Sequence, residues 1–157
     1  MTKVLVIGYG NPLRSDDSLG WQAAQRLEAL LQSQTQVEVC ACQQLTPELA
    51  GKLYAVELAI FIDASIDQPP GVLNCAAVQP DENLPAQFSH DFTPAKLLAF
   101  TELLYASTPQ AFLVSIGAET FALGETLSPA VEAALPDLLT RVENLVISAL
   151  EKAAPAL

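Results

Sequence analysis

Two adjacent carboxylates, Asp16 and Asp17, lie near the start of the chain, and Asp63 and the single histidine, His90, lie further along it. Two carboxylates and one imidazole are suitable ligands for a divalent ion, and three ligands leave positions open for water or substrate. One hypothesis from these residues is therefore an open divalent-metal site built from Asp17, Asp63 and His90.

The positions of Asp16, Asp17 and Asp63 in the sequence favour a functional role for at least two of these three residues. Asp63 ends a continuous apolar run, residues 58–62, that is typical of a central strand. A carboxylate at the end of such a strand is costly unless it is paired, capping or ligating. Asp16 and Asp17 precede a helical pattern, so we expect one of them to cap that helix and the other to point into a cleft.

A dinucleotide site is disfavoured, although Gly8-Tyr9-Gly10 follows a strand-like run. The dinucleotide fingerprint needs a third glycine where this chain has Leu13, and an acidic residue after the second strand, where it has Gln43 and Gln44. Carboxylates at the start of the following helix would also repel a pyrophosphate.

Two other hypotheses concern the same residues. A serine or cysteine hydrolase is disfavoured because the sequence has no Gly-x-Ser-x-Gly elbow and no obvious nucleophile at a strand-to-helix turn. A binding or scaffolding module of the same fold, in which Asp17 and Asp63 act only as caps, remains open from the residues alone.

Composition excludes several classes of protein. The 157 residues carry a net charge of −11, so nucleic acid and anionic membrane surfaces are poor partners. No apolar run approaches the ~20 residues of a membrane span, and no signal peptide is visible, so we expect a cytoplasmic protein. The three cysteines, Cys40, Cys42 and Cys75, give no disulfide framework. Cys40 and Cys42 would lie on one face of a strand, where we expect a buried pair of thiols; a soft-metal site is the less favoured alternative.

The elements that must position these residues follow from the apolar periodicity. It predicts five strands, at 3–8, 37–42, 58–62, 72–78 and 111–116. It also predicts four helices, at 19–32, at 46–54, from 94 onward and at 129–151. Thr46 would cap the second helix, and the third has apolar positions at Leu97, Leu98, Leu103 and Leu104. This order predicts one domain, 1–157, with an α/β fold: a three-layer α/β/α sandwich around a five-stranded, mostly parallel sheet. The link between the third and fourth strands is too short for a parallel crossover, so we expect the fourth strand to be antiparallel and at an edge.

The predicted sheet brings the candidate residues to one side of the domain. In open, mostly parallel sheets, ligands bind outside the carboxyl ends of the strands. Residues 8–20, Asp63 and the loop at 117–127 all fall at that end. The long loop at 79–91, which carries His90, would reach the same rim on its way to the next helix.

Four segments of the chain resemble the [NiFe]-hydrogenase maturation endopeptidases. Residues 10–20, GNPLRSDDSLG, resemble the N-terminal signature of that family, a Gly-Asn followed by Asp-Asp or Asp-Glu and a glycine. Residues 62–64, IDA, look like its second motif, and residues 89–94, SHDFTP, look like its histidine segment. Ile116-Gly117, Gly124-Glu125 and Leu127-Ser128-Pro129 are similar to its C-terminal pattern.

This resemblance implies a function and a set of site residues. Members of the family have a phosphorylase/hydrolase-like α/β fold with a five-stranded sheet, and they remove a C-terminal extension from the large subunit of a [NiFe] hydrogenase after nickel insertion. The family's metal-contacting positions would fall on Asp17, where many members have Glu, on Asp63 and on His90. Nickel would be carried by the substrate, and no organic cofactor is implied.

The resemblance leaves the chemical step open. A carboxylate, Asp16 or Asp17, could activate water as a general base, or the nickel of the substrate could polarise the carbonyl group or acidify the water. We expect a monomer that binds the nickel-loaded precursor of the large subunit. The alternative is a catalytically inactive relative that binds nickel or peptide.

Overall fold

The fold is described from a computed structural model of the chain, which covers residues 1–83 and 92–153 and leaves His90 outside the described residues. The strands are β1 (Val4–Tyr9), β2 (Val37–Cys42), β3 (Leu58–Ser65), β4 (Leu73–Ala77) and β5 (Gln110–Gly117). The α-helices are α1 (Leu19–Leu30), α2 (Ala50–Leu53), α3 (Pro94–Tyr105) and α4 (Pro129–Ala153). This order of elements confirms the prediction from the sequence.

The five strands form one sheet in the order β2-β1-β3-β5-β4. The pairs β1–β2, β1–β3 and β3–β5 are parallel, and β4 runs antiparallel to β5 at the edge. The predicted antiparallel edge strand is therefore confirmed. Because β1, β3 and β5 are parallel neighbours, their carboxyl ends meet at one rim of the sheet.

Helices cover both faces of the sheet. On one face α1 and α4 pack against residues such as Val6 and Ile60, and on the other α2 and α3 pack against residues such as Ile7 and Phe61. These alternating residues of β1 and β3 are buried, which explains why both strands appear in the sequence as continuous apolar runs. The predicted three-layer α/β/α sandwich is confirmed.

Helix starts differ from the prediction in two places. The chain enters α1 through a 3₁₀ turn, Ser15–Ser18, and no side chain caps α1, because Ser18 already has helical backbone angles. The predicted helix at 46–54 consists of a 3₁₀ turn, Pro47–Leu49, followed by the short α2, and the side chain of Thr46 makes no capping hydrogen bond. By contrast, Thr93 caps α3 by accepting a hydrogen bond from the Lys96 backbone N–H at 3.2 Å.

The apolar pattern of α3 also departs from the prediction. Leu97 and Leu98 are buried as expected, whereas Leu103 and Leu104 are 67% and 54% exposed. The C-terminal half of α3 therefore contributes little to the core. Over the two described ranges, no helix is both long and apolar enough to cross a membrane.

Candidate active site

Close packing of three glycines fixes the segment that carries Asp17. A Cβ atom on Gly8 would lie 1.9 Å from the carbonyl oxygen of Gly20, and one on Gly20 would lie 2.4 Å from the backbone nitrogen of Tyr9. Gly10 has φ +137°, and a Cβ atom there would lie 2.2 Å from the carbonyl oxygen of Asp17. Only glycine permits these approaches, so the start of α1 lies directly against the end of β1.

Asp17 lies at the rim and is half-buried. Its Oδ2 atom accepts a hydrogen bond of 2.8 Å from the backbone N–H of Asn11. The indole N–H of Trp21 donates to the carbonyl oxygen of Gly10 at 2.7 Å and so holds the same turn. The turn thus orients one carboxylate oxygen of Asp17.

Asp16 has a different environment from the one expected. Its carboxylate is fully buried and accepts hydrogen bonds from the backbone N–H groups of Glu119, Thr120 and Ser128 and from the Ser128 hydroxyl, at 2.7–3.1 Å. Burial opposes ionisation, but these hydrogen bonds outweigh it and hold the pKa of Asp16 below its ordinary value. The expectation that one of the two adjacent aspartates caps α1 is wrong, because the Asp16 side chain instead binds the loop before α4.

Backbone and hydroxyl groups extend the link made by Asp16. The Ser15 backbone N–H donates to the carbonyl oxygen of Gly124 at 2.8 Å, and the Ser15 hydroxyl donates to that of Ala122 at 2.7 Å. The Asp16 backbone N–H donates to the carbonyl oxygen of Thr120 at 3.2 Å. We call this set of contacts between residues 13–16 and 119–128 the loop clasp. It joins the two loops that flank the carboxyl ends of β1 and β5.

Asp63 lies at the end of β3, half-buried, and one of its oxygens accepts a hydrogen bond of 2.8 Å from the Ala64 backbone N–H. Burial and the negative charge of Asp17 raise the pKa of Asp63 to about 7, although hydrogen bonds from Ala64 and from the Tyr9 hydroxyl act in the opposite direction. Burial and Asp63 also raise the pKa of Tyr9, so its phenol stays protonated and donates. Asp17 and Asp63 thus lie at the same rim of the sheet, near enough for the charge of Asp17 to act on Asp63.

A row of side chains crosses the sheet at the level of Asp63. The strand register places on this row the residues Cys42, Tyr9, Asp63, Ser115 and Asn74. All five side chains project from the same face, since paired residues of neighbouring strands share a face. Sequence reasoning missed Tyr9, Ser115 and Asn74, for which the one available signal was their place at or near a predicted strand end.

A cleft of about 350 Å³ opens beside Asp63. Its described lining consists of residues from the end of β3, the turn after it, β4 and β5: Asp63, Ala64, Ser65, Ile66, Asp67, Gln68, Asn74, Leu113 and Ser115. The cleft therefore begins at a candidate catalytic residue and runs toward the sheet edge. This location agrees with the predicted position of a ligand site.

The described residues supply only part of a metal site. Within residues 1–83 and 92–153, no group of three or more His, Cys, Asp or Glu side chains could hold a metal ion. Asp17 and Asp63 together offer carboxylate oxygens, and the predicted third ligand, His90, lies outside the described ranges. The arrangement can thus supply some ligands to an ion that brings others with it.

The cysteines are thiols packed along the strands. Cys40 and Cys42 lie half-buried against the core on the α2 and α3 side, and Cys75 lies half-buried on the opposite face. Burial raises the pKa of Cys42 to about 11 and also raises that of Cys40. Since the thiolate is the metal-binding form, this environment disfavours the soft-metal hypothesis.

Comparisons with solved structures place the chain beside proteases that act in hydrogenase maturation. The hydrogenase maturating endopeptidase HybD from Escherichia coli matches 98% of this chain and 94% of its own, with 25% identity and a TM-score of 0.73. The [NiFe] hydrogenase maturation protease HybD from Thermococcus kodakarensis matches 92% and 99%, with 25% identity and a TM-score of 0.68. The protease HycI from the same organism matches 96% and 93%, with 23% identity and a TM-score of 0.69.

No protein-family model matches the sequence, and no curated protein matches it significantly. The likeness is therefore carried by the fold together with the sequence motifs. It extends over nearly the whole chain and includes the segments around Asp17 and Asp63. The resemblance predicted from the sequence is confirmed: the chain is similar, from end to end, to the [NiFe]-hydrogenase maturation endopeptidases.

Proposed function

We propose that this chain is an endopeptidase that removes the C-terminal extension from the large-subunit precursor of a [NiFe] hydrogenase after nickel has been inserted. The proposal is supported by the likeness of the whole fold to such proteases, together with the position of Asp17 and Asp63 at the same carboxyl rim of the sheet. The protein would act as a monomer in the cytoplasm, because a transient complex with the precursor needs no second copy.

Metal recognition in this proposal depends on an incomplete ligand set. Asp17 and Asp63 supply carboxylate oxygens, His90 supplies the third ligand, and the nickel ion arrives bound to the precursor. A precursor without nickel offers these side chains nothing to hold and binds more weakly. That difference in affinity lets the enzyme discriminate between loaded and empty precursor.

The two carboxylates are also suited to proton transfer. Without metal the pKa of Asp63 is about 7, so near neutral pH it can accept or release a proton, whereas coordination of nickel would hold it in its ionised form. Asp17 has one oxygen bound to Asn11, which leaves the other available for water or metal. The buried carboxylate of Asp16 is already bound to four donors, so we assign it a positioning role and not that of the base.

The direct test is cleavage of purified precursor, nickel-loaded and nickel-free, followed by intact mass spectrometry. We expect loss of a C-terminal peptide from the loaded form only. Trimming of both forms would retain the protease and remove nickel as its guide. Binding of cognate loaded precursors without any cleavage would favour a catalytically inactive relative instead.

Substitution of each candidate residue tests which side chains take part in the reaction. Asp17→Asn and Asp63→Asn keep the side-chain shape and remove the charge, and His90→Ala removes the imidazole; we expect each to lower kcat/KM by at least about 100-fold. Asp137→Asn is the matched control, because Asp137 is exposed on α4. Parent-like cleavage by all three site variants would show that the site is wrongly assigned.

A further inference from the structure

The cleft beside Asp63 lies on the face of the edge strand that is opposite to α4. Leu73 and Cys75 of β4 pack toward the core beneath α4, whereas Asn74 and Ala76 on the other face are exposed. Among the described residues, the face of the sheet that carries Asp63 therefore continues across Ser115 to Asn74 on the edge strand.

The groups that line the cleft combine hydrogen-bond donors with acceptors. Gln68 and Asn74 bring side-chain amides, each with donor and acceptor atoms, and Ser115 brings a hydroxyl group. Ser115 is only 4% exposed, and its hydroxyl lies 3.5 Å from Oε1 of Gln68, at the outer limit of a hydrogen bond. These neutral groups thus keep bonding capacity for a ligand.

The chemistry of a peptide backbone matches this lining. Each peptide unit presents one N–H donor and one carbonyl acceptor, and buried backbone groups need partners. The volume of about 350 Å³ is at the small end of ligand pockets, which suits a short stretch of chain and not a folded domain. Because Asp63 belongs to both the cleft and the candidate active site, a chain bound here continues directly to the reacting carboxylates.

We propose that this cleft is the subsite that binds the substrate polypeptide on one side of the cleaved bond, with Asn74, Gln68 and Ser115 hydrogen-bonded to its peptide groups. The inference rests on the proposed peptidase function and adds the location and the chemistry of substrate binding. These three are substrate-binding residues that determine affinity. They lie outside the segments in which the sequence resembles the maturation endopeptidases.

Steady-state cleavage of nickel-loaded precursor by Asn74→Ala, Gln68→Ala and Ser115→Ala tests the subsite. Groups that bind the substrate equally in the ground and transition states affect KM and not kcat. We expect each substitution to raise KM by about three- to tenfold, the effect of one lost hydrogen bond, with kcat unchanged. Asn144→Ala removes an exposed amide from α4 and is the matched control, with the parent's KM.

The outcomes separate this inference from the function on which it rests. Cleavage by the parent together with unchanged KM in all three variants would overturn the subsite alone. Absence of cleavage by the parent with every cognate loaded precursor would overturn both. Asn74→Trp provides a second check: a bulky side chain at this exposed position leaves Tm unchanged, and we expect it to block the cleft and lower kcat/KM more than Asn74→Ala does.

Discussion

Asp16 and Asp63 are both carboxylates at the rim of the sheet, yet their surroundings move their pKa values in opposite directions. Asp16 is surrounded by hydrogen-bond donors, which favour its charged form. Asp63 is desolvated beside the charge of Asp17, and burial disfavours its charged form. A group that stays ionised at neutral pH suits a structural link, and a group that titrates near neutrality suits proton transfer.

The raised pKa of Asp63 has a consequence for stability. The unfolded chain releases this proton near pH 3.8 and the folded chain releases it near pH 7, so the folded state is progressively disfavoured between these values. We expect Asp63→Asn to become more stable than the parent as pH rises through this window, with a constant advantage above it. Thermal unfolding of both proteins from pH 4 to 8 measures the difference, and a constant difference over this range would contradict the shift.

Removal of the Asp16 carboxylate should destabilise the fold. Asp16→Ala leaves the buried donors of Glu119, Thr120 and Ser128 without their acceptor, and we expect a loss of about 3–4 kcal/mol. Because the pKa of Asp16 is lowered, its contribution is present above its ordinary pKa and is lost as pH falls through the folded value.

Denaturant unfolding at pH 7 checks this loss, with Asp137→Ala as a surface control expected within about 0.5 kcal/mol of the parent. The Asp16→Asn variant distinguishes the two roles considered for this residue. An Asp16→Asn protein with the parent's stability and no cleavage would show that Asp16 is the general base after all.

Residue types in the sequence were sufficient to nominate Asp17 and Asp63 as candidate site residues, but not their neighbours. A carboxylate at the end of an apolar run is visible without a structure, because its burial needs an explanation. The role of Asp16 depends on donors more than 100 residues away, which no local pattern contains. Ser115 and Asn74 became candidates only when the strand register placed them beside Asp63.

At the scale of elements, contact between α1 and β1 decides where Asp17 lies. The helix can approach because neither Gly8 nor Gly20 has a side chain. A Cβ atom at Gly20 would meet backbone atoms of Tyr9, and backbone cannot move aside as the end of a flexible side chain can. Displacement of α1 would carry Asp17 away from Asp63.

Two glycine substitutions in helices should therefore have opposite effects. We expect Gly20→Ala to lower stability and to abolish cleavage, because α1 must shift. In Gly51→Ala, the added Cβ atom in α2 would lie 3.7 Å from its nearest neighbour, the Tyr105 hydroxyl oxygen, which is an ordinary contact. This substitution should therefore raise the free energy of unfolding by up to about 1 kcal/mol through helix propensity. Chemical denaturation and cleavage assays of both variants test this contrast, and equal effects would contradict it.

The helices and strands that were predicted correctly are those with a clear apolar pattern in the sequence. Strands β1 and β3 are buried on both faces, and their apolar runs made them unambiguous. In the helix predicted at 46–54, Thr46-Pro47 indicates a start but not a helix type, and a 3₁₀ turn occupies the first part. Leu103 and Leu104 are apolar by type but lie on the exposed side of α3.

At the scale of the whole molecule, the described lining of the cleft comes from strands and a turn and from no helix. Three parallel neighbours, β1, β3 and β5, gather their carboxyl ends at one rim, and the antiparallel β4 extends the sheet beyond that rim. The short link between β3 and β4 was enough to predict this topology. The cleft itself could not be predicted, since its described lining is brought together by the register of β3, β5 and β4 and by the turn at 66–68, which no local pattern contains.

The loop clasp also sets an order for biosynthesis. Asp16 and Ser128 are separated by 112 residues, so the N-terminal half of the site emerges from the ribosome long before the groups that bind it. Until then, the carboxylate of Asp16 has no buried partners and the turn before α1 has only local support. An arrangement of the site that depends on the clasp can therefore form only late, when most of the chain has been translated.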